Sequence, residues 1–135
     1  MKEIGVILSF VTASPRPLEA PDRASVLTKA ALRAADLLGL TRSDLSRILG
    51  VSGASASRLG RTRTVDPNSK EGELALLFLR AYRSLDSLLG GNREASQAWL
   101  RAENDHLGGR PVDLIARVEG LVRVASYLDA MRAKS

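Results

Sequence analysis

Residues 40–63, LTRSDLSRILGVSGASASRLGRTR, constrain the fold of this chain more than any other stretch. Thr41 is placed to cap a helix, with Asp44 three residues on in a near capping-box arrangement. A carboxylate there also suits the positive end of the helix dipole. Leu45, Ile48 and Leu49 follow at helical spacing and form one apolar face. Gly50 supplies the left-handed residue that ends the helix, Val51 plugs the core beneath the turn, and Ser52 caps the next helix. Ala56 and Leu59 anchor that second helix. The pattern is two short helices around a tight turn, a helix-turn-helix.

Any αα-hairpin needs a turn, so the pairing alone means little. Gly50, Val51 and the composition of the second helix go further. Its outward positions, Ser52, Ala54, Ser55, Ser57 and Arg58, include no acid, and Arg61 and Arg63 follow directly. These seven residues are the candidate DNA-binding set. The arginines after the helix are suited to phosphates, which brings salt-dependent affinity. Arg58 and the serines are suited to base edges in the major groove. Small side chains permit close approach but make few strong base contacts. Modest specificity per copy is therefore expected, raised by a homodimer on a palindromic operator. Ser46 and Ala56 depart from the commoner Ala and Val or Ile at their positions.

Charge supports a polyanion partner. The chain carries a net charge of +5. Residues 22–64 hold eight Lys or Arg against three Asp or Glu. Residues 65–135 hold ten of each sign and residues 1–21 two of each, so the whole excess lies on the helix-turn-helix region.

The rest of the chain reads as helical. Aromatics are only 4% of its 135 residues, so the core must be built from Leu, Val, Ile and Ala, which favours an all-α fold. Residues 14–21, with three prolines, form a linker, and Asp22 is a plausible N-cap. Leu27, Ala31, Ala34 and Leu38 then mark one helical face, which Gly39 terminates. Asp66-Pro67 is expected to open a longer helix with proline at its first position. Leu74, Leu77, Phe78, Ala81, Leu85, Leu88 and Leu89 keep helical spacing up to Gly90-Gly91. Asn92 caps a short helix ending near Trp99-Leu100, and a loop covers residues 104–111. From Val112 the pattern is helical again through Leu114, Ile115, Val118, Val122, Ala125 and Leu128. Gly120 marks a break or a close helix contact. The expected division is an arm and linker at 1–21, the DNA-binding region at 22–64 and a second helical unit at 65–135.

Several chemistries are excluded or disfavoured. The absence of cysteine removes disulfides and thiolate metal sites, and the single histidine, His106, makes a zinc site improbable. His106 has Glu103 and Asp105 nearby but no nucleophile, so it reads as a solvated loop histidine. No Gly-rich phosphate loop follows a strand, and neither a cofactor nor an enzymatic activity is expected. Trp99 alone reads as a core anchor. The alternation Ile4, Val6, Leu8 and Phe10 fits a short strand or a docking arm. Val11 and Ala13 imitate a cleavage site, but Glu3 cancels Lys2 and the apolar run is short for a signal peptide. It is far too short to span a bilayer, so a cytoplasmic protein without membrane contact is expected.

From Ala24 onward the sequence resembles the Xre/MbcA/ParS antitoxins. The first part of the match is the Xre-type helix-turn-helix. The second lies in Ala95, Ala98-Trp99-Leu100, Asn104, Leu107-Gly108-Gly109-Arg110-Pro111, Asp113-Leu114-Ile115 and Glu119-Gly120. Arg110 stands where Thr or Lys is common in the family. The resemblance implies a cognate RES-domain toxin that degrades NAD or uses it to modify a target. It also implies that the antitoxin blocks the toxin's NAD site with its C-terminal segment, here 127–135. Trp99, Leu107, Arg110, Tyr127, Arg132, Lys134 and Ser135 are accordingly the candidate toxin-binding residues, with operator DNA, a homodimer and a toxin–antitoxin hetero-oligomer as the implied assemblies. An ordinary dimeric repressor without a toxin is the alternative.

Overall fold

A computed structural model of the chain describes residues 20–135, and the expected N-terminal arm lies outside them. Among the described residues there are seven helices and no strand, so the all-α expectation holds. They are α1 (Ala20–Leu37), α2 (Arg42–Leu49), α3 (Gly53–Arg58), α4 (Lys70–Leu88), α5 (Arg93–Arg101), α6 (Pro111–Leu114) and α7 (Val118–Lys134). None is long and apolar enough to cross a membrane.

The local signals at α2 and α3 act as read. Thr41 Oγ1 accepts from the Asp44 N–H, and the Asp44 carboxylate accepts from the Thr41 N–H, a complete capping box. Gly50 ends α2 with φ +69°, a value costly for a residue with a Cβ. Ser52 then caps α3. The buried Ser46 hydroxyl donates to the Ser43 carbonyl over 2.7 Å, so the polar atom at this unusual position is satisfied within its own helix.

Three boundaries differ from expectation. α1 begins at Ala20, so Asp22 lies inside it, and Pro21 falls in the first turn, where a missing N–H leaves no bond unmade. α4 begins at Lys70 rather than Pro67. Ser69 caps it, and residues 66–69 form a turn in which the Ser69 hydroxyl donates to the Asp66 carbonyl. That turn folds over Gly72, where a Cβ would overlap the Asp66 carbonyl. The last helical region is split into α6 and α7, with a turn between them. Gly120 is the close contact rather than the break, since a Cβ there would overlap the Leu114 carbonyl. The split rotates the face of α7. Leu121, Val124, Ala125 and Leu128 are buried, while Val118 and Val122 are exposed.

α4 is the central element. It packs most extensively along α7 and also against α1 and α2. One hydrophobic cluster therefore runs from Leu27 and Leu45 through Phe78 and Leu85 to Leu121 and Leu128. The helix-turn-helix and the C-terminal half share this core.

A second connection is polar. Arg93, Gln97 and Arg101 recur every four residues on one face of α5 and meet the C-terminal end of α1. Arg93 donates to the Asp36 carbonyl, Gln97 to Leu37, and Arg101 to both Leu38 and Gly39, over 2.9–3.3 Å. Helix ends leave carbonyls without intrahelical donors. Here three side chains from another helix supply the donors.

Candidate nucleic-acid interface and partner surface

The short helix α3 owes its position to its neighbours. Ala56 and Leu59 are fully buried beneath it. Arg42 Nη1, from the first turn of α2, donates to the Ala56 and Leu59 carbonyls over 2.8 and 3.1 Å, capping α3 from outside. Arg42 is one of the eight basic residues of 22–64. Its capping role depends on how the two helices cross and has no local signal.

With that anchor, Ser52, Ala54, Ser57 and Arg58 are exposed and Ser55 is half-buried. Arg61 is exposed just beyond. These six candidates lie along one short helix and the loop that follows it. Arg63 is placed differently. Its Nη2 donates to Glu71 Oε2 over 2.7 Å, and its Nη1 is buried without a hydrogen-bond partner. The pair ties the 60–64 loop to α4 and draws this guanidinium away from the exposed set. Arg47 is likewise paired, with Asp44. Burial raises the Asp44 pKa, but hydrogen bonds from Thr41 and the Arg47 charge outweigh it and hold the carboxyl below its usual range. The localised charge excess is real, yet part of it is structural.

The candidate partner residues divide in the same way. Asn104 organises the Leu-Gly-Gly loop: its Oδ1 accepts from the Leu107 N–H and its carbonyl from the Gly108 N–H. Gly108 takes φ +78° to close the turn. Arg123 of α7 then donates to the Leu107 carbonyl over 2.8 Å, and the Leu107 side chain enters the core at 3% exposure. Leu107 thus anchors this loop from within the core.

Trp99 and Tyr127 are half-buried and stack with ring centroids 6.4 Å apart. His106 lies 5.8 Å from the Tyr127 ring on its other contact. The single histidine is exposed in its loop, as expected, and also borders this aromatic pair. Only the folding of the 104–109 loop onto α7 brings it there. Arg110 is exposed and paired with Asp113 at 2.9 Å. Arg132 and Lys134 are exposed on the last turn of α7, and Ser135 is exposed just beyond it. This turn is steadied by Asp129, which accepts from Ser84 over 2.8 Å and pairs with Arg80. The Ser84 bond, followed by Arg80 and Arg132, outweighs burial and holds the Asp129 pKa below the usual carboxylate range. The described residues contain no cluster of His, Asp or Glu suited to a metal.

Comparison with known families matches both halves. Residues 17–80 match the antitoxin Xre-like helix-turn-helix domain, and residues 84–134 match the antitoxin Xre/MbcA/ParS C-terminal toxin-binding domain. No curated relative matches the chain. The two family domains are regulatory and non-enzymatic, one binding DNA and the other a toxin. Their order, with only residues 81–83 between the matches, agrees with the helix-turn-helix geometry and the helical half built on α4 and α7, and the chain belongs to the Xre/MbcA/ParS antitoxin family.

Proposed function

We propose that this antitoxin neutralises a RES-domain toxin and represses its own operon. In this reading residues 22–64 hold operator DNA and residues 65–135 form the toxin-binding and dimerisation unit, which holds the toxin and a second copy of the chain. The last turn of α7, carrying Arg132 and Lys134, and Ser135 just beyond it enter the toxin's NAD site, where charged groups that bind a dinucleotide attract polar and charged partners. The stacked Trp99 and Tyr127, together with Arg110, form the adjoining contact surface. Half-buried aromatic rings supply large contact area at low conformational cost, which suits them to interfaces.

The observation that carries the reading is the coexistence of a DNA-binding and a toxin-binding domain in one chain with one core. Support for the α7 turn is its exposure beyond the Asp129 anchor. The test is co-expression with the product of the neighbouring gene, expected in this reading to be a RES-domain toxin, scoring growth and co-purification. The full chain is expected to restore growth and form a complex. A chain lacking residues 133–135, which keeps Asp129, is expected to bind but rescue poorly. Rescue equal to that of the full chain would remove Lys134 and Ser135 from the mechanism. Failure to form any complex would remove the RES-domain partner.

A further inference from the structure

The loop after α3 is attached to α1 by a buried side chain. Thr28 Oγ1 donates to the Ala24 carbonyl and accepts from the Val65 N–H, both over 2.7 Å. The loop is also closed on itself. The Thr62 and Arg63 N–H groups donate to the Arg58 carbonyl, and the Gly60 N–H donates to the Arg63 carbonyl. At Gly60, with φ +83°, a Cβ would press on Leu32 of α1, so the loop lies close against the helix. Between them is a groove of about 320 Å³.

Its chemistry is one-sided. Lys29 from α1 and Arg61 from the loop contribute positive charge, and Ser25, Thr62 and Thr64 contribute hydroxyls. Neither Lys29 nor Arg61 has an ion-pair partner among the described residues. Arg63 also lines the groove, but Glu71 neutralises it. Among the described residues the groove therefore offers two unneutralised cations and three hydroxyl donors, with no carboxylate lining it. An unesterified phosphate oxygen pair is suited to that set, since it accepts both charge-assisted and neutral hydrogen bonds.

We propose that this groove seats a backbone phosphate of the DNA bound by α3, with Lys29 and Arg61 as its charged ligands. The inference rests on the DNA-binding reading and extends the interface from α3 to α1. The seat begins within three residues of Arg58, so a duplex with α3 in its major groove brings one strand's backbone to the loop. The Thr28 bond fixes the two sides of the groove relative to each other, so little ordering is required on binding. Contacts of this kind orient the protein on the duplex but do not read sequence.

The test is the salt dependence of binding to the gene's upstream DNA and to an unrelated duplex. Each phosphate contact contributes close to one to the slope of log K against log salt. K29Q is expected to lower that slope by about one and weaken both duplexes by a similar factor. K29R is expected to keep the slope, and K29Q/R61Q to lower it further. R117Q removes one positive charge from the turn between α6 and α7 and is expected to leave the slope unchanged. Thermal unfolding of K29Q should match that of the parent, since Lys29 is exposed. A K29Q slope equal to those of the parent and R117Q, with binding still lost in R58A, would overturn the seat and leave the DNA-binding reading standing. A parent chain without salt-dependent DNA binding would overturn both.

Discussion

The guanidinium of Arg101 in the toxin-binding half donates to the carbonyl of Gly39, in the turn between α1 and α2, over 2.9 Å. The same group also reaches Leu38. One side chain from α5 thus holds the corner at which the helix-turn-helix begins. Hydrogen bonds from a charged donor are worth about 1.5–3 kcal/mol each when protected, and less where solvent competes. Arg101 is exposed, so R101A is expected to cost about 1–2 kcal/mol in urea unfolding at unchanged helical content. Q97A removes one neutral bond and should cost about 1 kcal/mol or less. A single transition shared by both halves is expected, because they have one core. Two separate transitions would show that the halves unfold independently.

Arg61 and Arg63 are two residues apart and are expected to behave as opposites. R61A should weaken DNA binding at unchanged stability. R63A leaves Glu71 without its partner, and breaking a largely buried pair by removing one member costs up to about 3–5 kcal/mol. Some exposure of both groups lowers the expectation to about 1–3 kcal/mol. Unfolding free energies and gel-shift affinities of the two variants provide the comparison. The interpretation fails if R63A is as stable as R61A.

Leu107 and Trp99 form a similar contrast in the other half. L107A empties a buried site and should cost about 2–5 kcal/mol. W99A removes half of a stacked pair at the surface. It should reduce toxin binding at least tenfold while lowering stability less than L107A. Calorimetry with the toxin, alongside thermal unfolding of each variant alone, separates the two effects.

Gly120 should tolerate no side chain. A Cβ would meet the Leu114 backbone, which cannot move without displacing α6. G120A is expected to cost about 3 kcal/mol despite alanine's higher helix propensity. G91A, where open space surrounds the position, should cost only the strain of its positive φ, about 1 kcal/mol. A melting-temperature difference between the two checks the ordering.

Acid should loosen the α4–α7 seam. The Asp129 pKa is lowered from the usual 3.8, first by the Ser84 hydrogen bond and then by Arg80. A carboxyl with a depressed folded pKa adds stability above its unfolded value, and that stability is lost as pH falls through the folded one. Relative to D129N, the parent should be more stable at neutral pH. The difference should shrink once pH drops below about 3.8. Urea midpoints measured from pH 7 to pH 2.5 test this, and a gap that persists at the acid end would exclude the carboxylate as its source.

Local signals in the sequence determined the elements of this protein. Thr41 with Asp44, Gly50, Ser52 and Asn92 act within three or four residues, so their caps and stops could be read without the rest of the chain. The faces of α1 and α2, the localised charge and the family motifs were legible for the same reason. Tertiary structure decided which groups remain available to a partner. Arg63 and Leu107 lie in segments that look exposed, yet Glu71 and the core claim them from a distance. Lys29 meets Arg61 across a groove closed by a bond between residues 28 and 65, and His106 reaches Tyr127 only when its loop folds onto α7. Periodicity assigns a residue to a face of its own helix. Whether that face meets a charge, a ring or solvent is set by which other helix packs there, and here that depends on α4 serving both halves at once.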